Sequence, residues 1–169
     1  AAQGDAMGTL MIDATHLKNH RTASSMVLKK GGVDANGGTK GGQNSELHAV
    51  TDTAGRPIQL FLTAGDVSDY IGVRLLLPSL PSADWLLADR GYGAGWFCEG
   101  SKKHQTLHPI APSLQDIIPH ITKIYRSCHK IENMFGRVKD WRRVATRYDR
   151  CPKVFLSAIA LAALVIYWL

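Results

Sequence analysis

The sequence predicts an α/β fold with a mixed central sheet of about five strands flanked by helices. Three observations predict it. Two short apolar runs each end in an aspartate, two β-prone runs are joined by Ala-Gly-Arg-Pro, and a long amphipathic helical pattern occupies the second half. Early strands joined by hairpins and followed by alternating helix and strand call for a sheet of mixed direction.

Residues 9–14 (TLMIDA) form the first apolar run, a buried strand that delivers Asp13 at its end. Residues 29–45 hold six glycines and no aromatic, so they predict a loop whose backbone stays solvated or meets a ligand. Residues 47–53 and 58–63 predict an antiparallel hairpin. Over 68–80, Tyr70, Val73, Leu76 and Leu77 recur at helical spacing, with Ser68 as cap and Pro78 and Pro81 as terminators. Residues 85–88 form the second apolar run, ending in Asp89 and the turn sequence Arg-Gly-Tyr-Gly. A last strand is expected over 108–111. A helix is expected over 130–146, with Ile131, Met134, Phe135, Val138, Trp141 and Ala145 on its apolar face. No internal repeat is visible, and the chain reads as one domain over 1–169, with an apolar helix over 152–169 packed on its core.

Charge is unevenly placed. Twenty Lys and Arg stand against fourteen Asp and Glu, and ten of the twenty fall within residues 121–153, beside only Glu132, Asp140 and Asp149. Such a stripe favours a polyanionic partner. Cys98, Cys128 and Cys151 are widely spaced with no CxxC pair, which argues against a disulfide framework or thiolate zinc site and suits a reducing cytoplasm. The seven histidines show no metal-ligand spacing on a helix, and GGTKGG lacks the ending of a phosphate-binding P-loop, so zinc and ATP are not indicated. The first residues do not read as a secretory signal. Residues 154–169 carry no charge but fall short of the roughly 20 residues that span a bilayer, so a core helix is expected and no membrane.

Phosphodiester cleavage needs an activated oxygen nucleophile and a neutralised leaving oxygen, which a pair of divalent cations held by carboxylates supplies. Mg²⁺ takes hard oxygen ligands and few of them from protein. Two strand-end aspartates on neighbouring strands, joined by Glu132 from a helix, would meet that need. Cys128, Lys139 and Arg143 lie four, seven and eleven positions from Glu132, on one angular face of a continuous helix. On residue type alone the bland alternatives stay open: Asp13 and Asp89 as turn formers, Glu132 as a solvated surface acid, and Trp141 in the core.

Three segments carry a resemblance: MIDATH over 11–16, LADRGY over 87–92 and YRSCHKIENMFGRVKDW over 125–141, with TRYDR over 146–150. Together they resemble the catalytic domain of DDE-type insertion-sequence transposases, across nearly the whole chain and in the order Asp, Asp, Glu. The resemblance implies an RNase H-like fold and a DNA transposase that cleaves and joins strands at insertion-sequence ends. It implies catalytic and metal-holding roles for Asp13, Asp89 and Glu132, with two Mg²⁺ or Mn²⁺ ions. It also implies double-stranded DNA, both ends and target, as partner, a homo-oligomer in the DNA complex, and a cytoplasmic, nucleoid-associated location. DNA contact is expected from Tyr125, Lys139, Arg142, Arg143, Arg147 and Arg150, and from Lys40 in the glycine-rich loop.

The chain departs from the pattern at four places. Cys128 stands where the family signature carries Arg between Tyr125 and Glu132, and a thiol offers neither the charge nor the donor fork of a guanidinium. Gly38 and Glu46 replace more basic loop positions, and residues 112–120 lack Lys and Arg. The family's end-recognising N-terminal region has no counterpart before Ala1, so an N-terminally truncated copy is expected. A related metal-dependent nuclease and a catalytically impaired DNA-binding remnant are the alternative readings.

Overall fold

The computed structural model describes residues 7–24, 37–39, 42–65, 77–81, 83–88 and 129–169. Its centre is β1 (Met7–Asn19), a strand with apolar residues on both faces. Leu10 and Ile12 point to one side and Met11 and Leu17 to the other, and all four are buried. β1 pairs antiparallel with β3 (Gly42–Thr51), from Met11 opposite Thr51 to Lys18 opposite Asn44. On its other edge it pairs parallel with β5 (Ala83–Ala88), from Met7 opposite Ala83 to Ile12 opposite Ala88. β4 (Pro57–Ala64) pairs antiparallel with β3, giving the order β4-β3-β1-β5, three antiparallel strands and a parallel fourth. This is the mixed central sheet with flanking helices that the sequence predicts.

The β3–β4 hairpin is closed by its own chemistry. The Asp52 carboxylate accepts hydrogen bonds from the amides of Ala54 and Arg56, both at 2.9 Å, and from Arg56 Nε at 2.7 Å. Gly55 takes φ 81°, a left-handed conformation that a side chain would strain.

Helices cover one face of the sheet. α2 (His129–Lys139) buries Ile131, Met134, Phe135 and Val138 against Met11, Leu17, Leu47, Ala49 and Leu87. α4 (Pro152–Tyr167) adds Phe155, Ile159, Ala162 and Ala163 to the same core. The opposite face carries a second cluster, Leu10, Ile12, Val50, Leu80, Ala83 and Leu86. The short helix α1 (Arg21–Ser24) follows β1.

Several expectations are corrected. β1 runs past Asp13 to Asn19 because β3 and, at its far end, β6 (Thr146–Arg147) satisfy its backbone. Part of the glycine-rich loop is ordered as β2 (Gly37–Thr39), which pairs with the start of β3. The helix expected over 130–146 stops at Lys139; Trp141 takes an extended conformation (φ −73°, ψ 110°) and α3 (Arg142–Ala145) restarts before the chain enters β6. Trp141 is therefore turned outward at 38% exposure and is not a core residue. α4 buries one face only, leaving Leu161, Leu164 and Val165 exposed, and no described helix is long and apolar enough to cross a membrane. Residues 77–79 form a 3-10 turn, whereas 66–76 and the strand expected over 108–111 lie outside the described residues.

The break after Lys139 delivers Arg147 into the interior. Its side chain has no exposure; the guanidinium donates to Ser45 Oγ at 2.7 Å and to the carbonyls of Asp149 and Arg150 at 2.8 and 2.9 Å, and it lies 5.5 Å from the Phe155 ring centre. Three elements, β6, β3 and α4, are tied by one cation. Arg147→Met should destabilise the fold by about 2–4 kcal/mol, because buried acceptors lose a charged donor. A shift of the urea midpoint too small for even 1 kcal/mol would remove Arg147 from the set of structural ties.

Candidate active site

Asp13 lies inside β1 opposite Ala49, half-buried, with its Oδ1 accepting from the Ala14 amide at 2.8 Å. Strand alternation places it with Met11, Thr15 and Leu17, on the face that α2 covers. Its neighbour β5 ends at Ala88, opposite Ile12, so Asp13 stands where the parallel partner stops. Leu87 of β5 joins the same core as Met11. Asp89 follows Ala88 in sequence and lies outside the described residues.

Glu132 enters from the first turn of α2, where the helix dipole favours an anion. Its side chain is exposed, turned away from the buried Ile131 and Met134. The start of this helix is fixed beside the β3–β4 turn: Lys130 Nζ donates to the Thr53 carbonyl at 2.7 Å, and a Cβ on Gly55 would stand 3.0 Å from Lys130 Cβ. Its end is fixed on β1, where Lys139 Nζ donates to Thr15 Oγ1 at 2.6 Å. Burial pushes the Lys139 ammonium below the ordinary lysine range.

These two attachments orient α2 along β1. Thr51 opposes Met11, so the helix begins near the Met11 end of the strand and finishes at Thr15. Glu132 and Lys139 lie seven positions apart on α2, about 10 Å of helical rise. Gly136 falls between Glu132 and Lys139 on the same helix face, and a Cβ there would meet nothing within 4 Å.

Among the described residues no three His, Cys, Asp or Glu side chains form a group that could hold a metal ion. Asp13 and Glu132 are two of the expected three acids, and both offer the hard oxygens that divalent cations prefer.

The expected DNA contacts divide by burial. Arg142 is exposed and makes no ion pair with a described residue; Trp141, beside it in sequence, and Tyr148 are also exposed. Arg143 forks onto Asp149 at 2.8 and 3.1 Å, a bidentate pair that neutralises its charge. Arg150 is exposed, with Nε on the Thr22 carbonyl at 3.2 Å. The expectation of phosphate contact at Arg147 is corrected: its guanidinium is buried and committed internally. Tyr125, Lys40 and Cys128 lie outside the described residues.

One acidic group was not anticipated. Glu46 is buried on the far face of the sheet, 3.6 Å from both His16 Nδ1 and His48 Nε2. The alternation Glu46, His48 in β3, opposite His16 in β1, was its only sequence signal. It lies across the sheet from Asp13 and belongs to a different surface.

Comparison with known proteins bears on this arrangement. A family model described as the transposase DDE domain matches residues 5–168. A putative transposase for insertion sequence element IS6501 of Brucella ovis is 28% identical over 126 residues, covering 73% of this chain and 97% of that protein. Among solved structures, the Mos1 transposase in a paired-end complex with the left transposon end is similar at 13% identity and a TM-score of 0.39; the likeness covers 94% of this chain and 56% of that one.

The bare helix position between Glu132 and Lys139 makes its own prediction. A glycine in a helix interior is less stable than alanine by about 0.5–1 kcal/mol, and nothing crowds a methyl group here. Gly136→Ala should raise thermal or urea stability by that amount. A drop in stability would show that the helix needs the glycine for its own packing.

Proposed function

Because the chain belongs to the transposase DDE domain family, we propose that it is a DNA transposase that cuts and rejoins strands at insertion-sequence ends, using Asp13, Asp89 and Glu132. The observation that carries the assignment of roles is the seating of α2 on the Asp13 face of β1, with Lys139 docked on Thr15. One side of the sheet thereby receives a strand carboxylate, a helix carboxylate and a cation. Asp89 follows Ala88 in sequence, and Ala88 pairs with Ile12, the residue before Asp13.

The donor set fits divalent cations, and Mg²⁺ or Mn²⁺, as two ions, is the proposed cofactor. Bound there, the ions lower the barrier for the attacking and leaving oxygens of in-line displacement. The chain supplies the rest. Asp13 is held by the Ala14 amide and by its pairing with Ala49 of β3; Glu132 is presented by a helix anchored at both ends. Water attacks the end phosphate, the P–O3′ bond breaks and a 3′ hydroxyl is released. That hydroxyl then attacks a target phosphate, and the target strand's own 3′ oxygen leaves. Lys139 and Arg142 neutralise phosphate along the path. Double-stranded DNA at ends and target is the proposed partner, with the chain acting as a homo-oligomer in a nucleoid-associated complex.

The test is incubation with labelled end duplex and Mg²⁺ or Mn²⁺. Nicked ends and strand-transfer products are expected; cutting without transfer would reduce the assignment to a nuclease. Asp13→Asn, Asp89→Asn and Glu132→Gln should each lower cutting by more than about 100-fold, beyond what second-shell losses produce, while DNA binding stays within twofold. Normal turnover in any of the three removes that residue from the site. Arg142→Ala should lower the slope of log affinity against log salt by about 1. Arg143→Ala should lower it less, since Asp149 already neutralises that guanidinium. An unchanged slope in Arg142→Ala would take α3 off the DNA surface.

A further inference from the structure

We propose that Thr15 is a positioning residue: its hydroxyl anchors the Lys139 ammonium on the Asp13 face of β1, so that a positive charge is in place before phosphate arrives. The inference rests on the DNA-cutting reading above and gives Thr15, which that reading uses only as the point where α2 docks, a role of its own.

A lysine side chain left to itself samples many rotamers, and fixing it costs conformational entropy. Lys139 is nonetheless fixed, with Nζ 2.6 Å from Thr15 Oγ1, a short charge-assisted hydrogen bond. The acceptor is rigid. Thr15 is β-branched, so its χ1 is stiff, and its strand position is set by pairing with Leu47.

The kind of anchor matters as much as its position. A carboxylate at residue 15 would hold the ammonium and cancel its charge, as Asp149 does to Arg143 on the neighbouring helix. A hydroxyl accepts one of the three N–H donors, leaves the charge whole and leaves two donors for another ligand. Lys139 makes no ion pair with a described residue, so the hydroxyl dipole offsets part of the desolvation that burial imposes on it. Thr15 is also two residues from Asp13 on the same face, about 7 Å along the strand. Gly136 adds no side chain between Glu132 and Lys139.

The test is a double-mutant cycle read by binding of a fluorescent, nicked DNA duplex of mixed sequence. Thr15→Val keeps the shape and removes the acceptor; it should weaken binding about 3- to 10-fold, the range of one net hydrogen bond. Lys139→Met should weaken binding at least as much and lower the salt slope by about 1. In the Lys139→Met background Thr15→Val should have no further effect, and in the otherwise unaltered chain Thr15→Ser should keep wild-type binding. Equal losses from Thr15→Val in both backgrounds, or a Thr15→Ser variant no better than Thr15→Val, would overturn the anchor. A measurement on the unaltered chain stands beside the variants: the Lys139 ammonium should give an exchange-protected NMR resonance that Thr15→Ser retains, and its absence from the wild-type spectrum also overturns the anchor. The cycle reads binding and not cutting. A chain that cuts DNA but shows an additive cycle loses only the anchor, whereas one that shows the coupling but never cuts loses only the transposase reading.

Discussion

The arrangement depends on the burial of both faces of β1. A central strand with Leu10 and Ile12 on one side and Met11 and Leu17 on the other is covered by apolar side chains on each face, and its register admits no slip: a shift of one residue would exchange the two faces. Asp13 and Thr15 are carried on this strand as the polar members of the Met11 face. Their position is therefore as rigid as the core itself, which is what a site that must hold small cations and a reacting phosphate requires.

The helical layer supplies the complementary part. α2 presents Ile131, Met134, Phe135 and Val138 to that face, and the same packing sets the rotation that turns Glu132, Gly136 and Lys139 toward its rim. Polar attachments at the two ends, Lys130 on the hairpin turn and Lys139 on Thr15, set its direction along the strand. Hydrophobic area supplies the stability and two ammonium groups supply the alignment. The buried Arg147 then closes the far end of β1, joining β3, β6 and the start of α4 through one guanidinium.

Cations in the basic segment thus serve three different purposes. Arg147 is structural, Arg143 is satisfied by Asp149, and Arg142 remains outward, with Trp141 and Tyr148 also exposed. A count of basic residues treats them alike, and only burial and pairing separate them. The same holds for acids: Glu46 and Asp13 lie on adjacent paired strands, yet the pleat sends one to each side of the sheet.

The order of strands, the hairpin and the apolar face of α2 were legible in the sequence, since periodicity and turn residues are properties of neighbouring residues. Three things were not. The helix break at Asp140–Trp141 occurs because Thr146 and Arg147 pair with Lys18 and Asn19 more than a hundred residues earlier, and that tertiary demand overrides a helical pattern that is locally sound. The extension of β1 beyond Asp13 and the ordering of glycines 37 and 38 come from partners on β3 that local propensity does not register. The hydrogen bond between Thr15 and Lys139 joins residues 124 apart, so its existence was decided by how helix and sheet pack, while the sequence alone determined only that a hydroxyl and an ammonium were present to make it.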